Sequence, residues 1–260
     1  DIRKVGQELI NLRELDDVEP NYIFTIQVSP SDPYYDQQWG LSKIAMPKTW
    51  DLVKGSNSIK IAILDTGIDY NHQDFASRTI IKGPDLARCD VFNKTRCISS
   101  KQRDSDSMDD NGHGTHVAGI IGAVTDNNVG ISGVNWNITL VVIKVMNRLG
   151  QGDTYDIVDG IRYAADNGAH VINISLGTPD TCTSSYQDAI NYAFNKGVII
   201  VAAAGNTNVD VKNFSPGSCS GVITVGASTR SDGRASFSNY GTRVDIAAPG
   251  VSIVSTALPG

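Results

Sequence analysis

His113 stands between Gly112 and Gly114, where the polar stretch Asp109-Asp110-Asn111 gives way to Val117, Ala118, Ile120, Ile121 and Val124 at helical spacing. The two glycines leave the imidazole uncrowded and let the backbone bend sharply. At a helix N-terminus the positive end of the macrodipole disfavours imidazolium. The ring is therefore expected to rest neutral, as a general base must. Asp65 closes a short apolar run, residues 59–64, ahead of Thr66-Gly67. A carboxylate there can accept the Nδ1–H of His113, fix its tautomer and stabilise the imidazolium formed during reaction. Asn206 follows Ala202-Ala203-Ala204-Gly205. Small residues let a substrate approach, and the asparagine amide can donate to a developing oxyanion. Taken singly, each also reads as structural: His113 as a cap or core residue, Asp65 and Asn206 as turn residues.

A strand must end at Asp65 and a helix must start at His113 for these groups to meet. Residues 139–145 are rich in β-branched side chains and read as a buried strand. Residues 153–167 read as a helix with Ile157, Ile161 and Ala164 on one face and Gly168 as its stop. Strands are expected at 171–176, 198–202, 222–225 and 244–246. A helix at 184–196 would open on a capping box of Ser184 and Gln187. This alternation predicts a three-layer α/β fold, a mainly parallel central sheet with helices on both faces. Function gathers at the carboxyl ends of such strands, where Asp65, Ser175 and Asn206 all fall.

The sequence has 260 residues, 40% hydrophobic and 19% charged, which suits one α/β domain with a sizeable core or one domain plus a short appendage. A net charge of -6 gives no sign of nucleic acid binding, and no apolar run is long enough to span a bilayer. The sequence begins at Asp1 without a signal-peptide pattern and is read as a processed chain or a fragment. None of the four cysteines forms a C-x-x-C pair, so a zinc ribbon is not expected. Cys89 and Cys97 bracket a polar loop, and Cys182 and Cys219 lie in loop-like sequence. Two disulfides, Cys89–Cys97 and Cys182–Cys219, are expected in an oxidising compartment; four free thiols in a cytosolic protein are the alternative.

The ordered segments Ile63-Leu64-Asp65-Thr66-Gly67-Ile68, Gly112-His113-Gly114-Thr115-His116-Val117-Ala118-Gly119, Asn173-Ile174-Ser175-Leu176-Gly177, Ala202-Ala203-Ala204-Gly205-Asn206 and Ala247-Ala248-Pro249-Gly250 resemble the subtilisin-like serine peptidases, the subtilases, and among them the thermitase-like branch. The resemblance runs from about residue 32 to the end. The order aspartate, histidine, serine and an oxyanion asparagine are established features of that family. It implies a secreted serine endopeptidase in which Asp65 orients, His113 is general base and acid, and Asn206 stabilises the oxyanion; His116 would be a second, structural histidine. Ser175, Leu176 and Gly177 would form one wall of the S1 pocket, and Ala203, Ala204 and Gly205 the other. Gly150, Gln151 and Gly152 would be the edge strand on the opposite side of a bound peptide. These segments carry no charge, so broad specificity with apolar residues at P1 is expected.

The nucleophile of this family lies in a Gly-Thr-Ser-Met-Ala motif shortly after the equivalent of Ala247-Ala248-Pro249-Gly250. No Gly-Thr-Ser occurs in the 260 residues. The chain by itself is therefore expected to be inactive, as a piece of a normal peptidase whose domain, 29–260, is incomplete at its C-terminus. Residues 1–28 resemble the end of an inhibitory propeptide, so the partners expected are polypeptide substrates and the protein's own propeptide, with no nucleic acid or membrane and a monomeric state. The resemblance also implies structural Ca2+ held by Asp32, Asp74 and Asn127 with backbone oxygens near Val124, Val129 and Ile131; Asp126 is adjacent. Asp104, Asp106, Asp109 and Asp110 read equally as a second calcium site or a solvated acidic loop. Asn93, Asn137, Asn173 and Asn213 begin N-glycosylation patterns, and Asn173, in an expected strand, should carry no glycan. Two other functions compete: a non-catalytic peptide-binding pseudoenzyme, and a metal-dependent hydrolase using Asp110, His113 and His116. The second lacks the glutamate base of the zinc helix motif and a recognisable third ligand.

Overall fold

The computed structural model describes residues 29–93 and 96–259, together with Lys4, Glu8 and Asn11. The stretch 1–28, apart from those three residues, lies outside this description, as do Lys94 and Thr95 of one glycosylation pattern. In chain order the elements are α1 (Trp39–Lys43), α2 (Met46–Trp50), β1 (Gly55–Asp65), β2 (Thr79–Asp85), β3 (Cys89–Asn93), β4 (Arg96–Ser100), α3 (His113–Gly122), β5 (Asn137–Lys144), α4 (Thr154–Asp166), β6 (Val171–Ile174), α5 (Ser184–Asn195), β7 (Ile199–Ala203), β8 (Val222–Ser228) and β9 (Ile246–Pro249). Seven strands form one sheet in the order β2-β5-β1-β6-β7-β8-β9. Every pairing in it is parallel. The three-layer parallel α/β architecture expected from the sequence is the one observed.

β5 is apolar from Leu140 to Ile143 because both of its faces are covered. On one face α4 and α5 bury Ile157, Ile161 and Ile190 against Leu64, Ile143, Ile172, Ile174 and Ile200. On the other, α3 buries Ala118 with Ile63, Leu140, Val142, Phe75 and Ile131. The parallel register extends this second face past α3, pairing Ile61 with Val171, Val171 with Ile199, Val201 with Ile223, and Val225 with Ile246. There Ile199, Ile223 and Ile246 are 50%, 42% and 57% exposed, so an apolar sheet surface lies partly bare beside α3.

α4 starts where expected: Asp153 caps it by accepting the Asp156 N–H at 2.9 Å. α5 does not open on the expected capping box. Thr183 accepts the Tyr186 N–H instead, and Gln187 reaches out of the helix to accept the N–H of Ser220. A cap one residue earlier leaves Gln187 free for that longer-range contact. The expected strand at 244–246 begins only at Ile246. Cys89–Cys97 and Cys182–Cys219 are both disulfides, and there are no free cysteines. The polar loop between the first pair is an antiparallel hairpin, β3–β4, in which Phe92 pairs with Cys97.

Candidate active site

β1 delivers Asp65 at its carboxyl end, beside Lys144 at the end of β5. The Asp65 side chain is fully buried. Its Oδ1 accepts the Thr66 N–H at 2.8 Å and lies 2.7 Å from His113 Nδ1, while Oδ2 is buried without a partner inside the described protein. Gly112, at φ 106°, turns the chain so that His113 becomes the first residue of α3. The imidazole is half exposed. Sequence reasoning placed it at the positive end of a helix and expected that to favour the neutral ring. The opposite influence wins. The hydrogen bond to Asp65 pushes the His113 pKa above its ordinary 6.5, against the downward effect of burial. Three residues on, burial holds His116 below the ordinary value.

Three residues that sequence reasoning did not single out in these roles hold the dyad in place. Asp109 is buried, and its Oδ1 accepts the N–H groups of Asn111 and Gly112 and the Thr66 hydroxyl. Its Oδ2 accepts the Thr115 N–H and hydroxyl. Burial would raise this carboxyl, but the donors from Gly112, Thr115 and Asn111 together hold it below the usual range. Lys144, 2% exposed, donates to the Thr66 carbonyl at 2.6 Å and to Asp110 at 2.5 Å. Buried Asn239 donates to the Ala204 carbonyl and accepts the N–H groups of Thr207 and Val209, which fixes the loop carrying Asn206. The roles of these three depend on contacts 30 or more residues away in most cases, which local pattern does not carry.

The aspartates at 104–110 do not converge. Asp109 faces inward, Asp110 pairs with Lys144, Asp106 accepts from the Tyr70 hydroxyl and the Met108 N–H, and Asp104 caps Asp106. Among the described residues no group of three His, Cys, Asp or Glu side chains is placed to hold a metal. Asp32, Asp74 and Asn127 do come together. Asn127 donates its backbone N–H to Asp32 (3.1 Å) and its side-chain amide to Asp74 (3.4 Å). Asp32 also accepts from the Asp126 N–H and the Ser132 hydroxyl, and Asp74 from the Ile131 N–H. Asp74 is fully buried. Burial pushes its carboxyl up, and the charge of Asp32 adds to the push.

The segments expected to face a substrate line two cavities. Gly150, Gln151, Gly152, Leu176 and Gly177 line one cavity of about 480 Å³. Ser175, Ala203, Ala204, Gly205 and Asn206 line another of about 440 Å³. Gly150-Gln151-Gly152, expected as an edge strand, pairs with no strand of the sheet; it is tied instead to Asn147, whose N–H donates to the Gln151 carbonyl and whose side chain accepts the Gln151 N–H. Ser175 accepts from the Asn173 amide at 2.9 Å. A Cβ on Gly177 or Gly205 would meet the Phe214 ring at 2.4 and 2.7 Å, so the two walls press on one aromatic floor.

A family model described as the subtilase family matches residues 56–259. The chain is 44% identical to a thermophilic serine proteinase of Bacillus sp. (strain AK1) over 98% of its own length and 60% of that relative's, so it spans three-fifths of that protein. It is 42% identical to thermitase of Thermoactinomyces vulgaris, over 88% of this chain and 76% of thermitase. A protease from Pseudoalteromonas arctica PAMC 21717 superposes with a TM-score of 0.77 at 38% identity, over 86% of this chain and 73% of that one. Fold, motif order and these likenesses agree: the chain belongs to the subtilase family, among its thermitase-like members.

Proposed function

We propose that this chain carries the acid–base machinery of a serine endopeptidase that hydrolyses polypeptides through a triad of Asp65, His113 and a serine. The observation that carries the reading is the 2.7 Å contact between His113 Nδ1 and a fully buried Asp65. A carboxylate can only accept, so Nδ1 donates to Asp65 and Nε2 is left as the base. Nε2 takes the hydroxyl proton as the serine oxygen attacks the scissile carbonyl, then returns it to the leaving amine. Asp65 stabilises the imidazolium between these steps. Asn206, exposed at the cavity of Ala203 and Ala204, donates its amide to the oxyanion.

The serine belongs to a Gly-Thr-Ser-Met-Ala segment that these 260 residues do not contain, and the chain alone is inactive. Ser255 is no substitute, because its hydroxyl donates to the His116 carbonyl at 2.6 Å. The bare apolar face beside α3 supports a further helix packing there and bringing the nucleophile to His113. The substrate is an extended polypeptide between Gly150–Gly152 and Ser175–Gly177, broad in sequence with an apolar P1 residue. Residues 1–28 serve as the remnant of an inhibitory propeptide, and the protein works as a secreted monomer. Two disulfides support an oxidising compartment, and no helix among the described residues is long and apolar enough to cross a membrane.

Calcium would be held by Asp32, Asp74 and the Asn127 amide, with carbonyl oxygens of Val124, Val129 and Ile131. The donor set fits: two buried carboxylates and a loop of oxygens suit a hard cation, which would relieve the buried charge of Asp74. Bound there, the ion supplies loop stability and no chemistry. A metal-dependent hydrolase is disfavoured because Lys144 takes Asp110, the carboxylate such a site would need. The test is a fluorophosphonate probe with a casein assay. The 260-residue chain should give neither label nor turnover. A longer form bearing the serine should give both, and His113→Ala should cut its turnover by several orders of magnitude. Undiminished turnover in that variant overturns the triad; a longer form with another residue at the serine position, binding peptides without cleavage, would make the pseudoenzyme the answer.

A further inference from the structure

The β3–β4 hairpin is held at its base by several separate contacts. Arg88, just before β3, donates from Nε (2.7 Å) and from its backbone N–H (3.0 Å) to Asp156 on α4, a side chain only 1% exposed. Arg103, just after β4, reaches the same carboxylate at 3.0 Å. The buried amide of Asn147 donates to the carbonyls of Cys89 and Asp90, at 2.9 and 3.1 Å. Asn147 is also the residue that fixes Gln151, so one side chain joins the hairpin to the peptide-facing segment. The Cys89–Cys97 disulfide ties the two strands together. A solvated loop has no need of such anchoring.

What this base positions is Phe92. Phe92 lines the 480 Å³ cavity together with Leu176, Gly177, Ile157 and Tyr186. Asp153 and Asp180 are the charged residues in that lining. Asp153 is engaged as the cap of α4 and by the Arg88 guanidinium at 3.4 Å, and Asp180 with the Thr181 N–H. The cavity thus has aromatic and aliphatic walls, which favour burying an apolar side chain and penalise stripping water from a charged one.

We infer that the β3–β4 hairpin is a wall of the substrate cleft and that Phe92 is a specificity-determining residue, selecting a large apolar side chain of the peptide and disfavouring an acidic one. The inference deepens the peptidase reading and rests on it. An anchored aromatic wall desolvates an incoming aromatic side chain at little ordering cost, since the hairpin is already in place.

The test uses the 260-residue chain and blocked hexapeptides that differ at one position, Phe, Ala or Glu. Binding is read from the amide signals of Gly150, Gln151 and Gly177. The Phe peptide should bind roughly tenfold more tightly than the Ala peptide, the scale of one well-filled apolar contact, and the Glu peptide least of all. Phe92→Ala should erase the preference for Phe over Ala, and Phe92→Leu should restore part of it. A preference that survives Phe92→Ala overturns the inference and leaves the cleft assignment standing, because the Gly150 and Gly177 signals still move. If no peptide moves those signals, the cleft assignment falls and the inference with it.

Discussion

Asp65 raises the proton affinity of His113, and burial lowers that of His116, on the same turn of helix. The two rings should therefore titrate on opposite sides of 6.5, His113 above and His116 below, in a histidine NMR titration; both moving the same way would contradict the geometry. The signs carry over to stability. For His113 the folded value is raised, so its contribution is fully present below pH 6.5 and is lost as pH rises through the folded value. For His116 the folded value is depressed, so its contribution is present above pH 6.5 and is lost as pH falls through the folded value. A longer, active form should gain rate as pH rises past the His113 value, because only the neutral ring accepts the serine proton. Asp65→Asn should bring the His113 titration downward.

At the scale of elements, the dyad depends on how closely α3 meets the turn after β1. A Cβ on Gly114 would lie 2.0 Å from the Gly67 carbonyl oxygen. Gly114→Ala should thus destabilise the fold by about 1–3 kcal/mol through overpacking, read as a lowered urea midpoint, and should weaken the His113–Asp65 contact as well. An unchanged midpoint would mean that the helix can retreat without loss. The periodic elements were legible in the sequence. α4 shows its apolar face and its Gly168 stop, and β5 its stretch rich in β-branched residues. That Asp65 and His113 would meet was legible because each sits in a local motif with its own small residues. The β3–β4 hairpin was not, since its strands are polar and its anchors, Asp156 and Asn147, lie more than 45 residues on. Asp109 and Lys144 were illegible as positioning residues for a related reason. An acidic cluster and a lysine at a strand end say nothing locally about which way they face.

Across the whole molecule, the N-terminal part of the described chain is joined to the loop after α3 through Asp32, Asp74 and Asn127. Calcium should raise the melting temperature of the chain and a chelator should reverse the gain; Asp74→Asn should abolish the response. A melting temperature indifferent to both would remove calcium from this loop. The last consequence concerns Lys144. Its ammonium is sealed between the Thr66 carbonyl and Asp110, at the junction of the two segments that bring Asp65 and His113 together. An amine-acylating reagent cannot reach it while that junction is shut. Most other lysines are accessible, so mass spectrometry after brief acylation should find 144 unmodified in a field of labelled neighbours. The rate at which it eventually labels then becomes a clock for the opening of the catalytic corner, read without substrate or turnover.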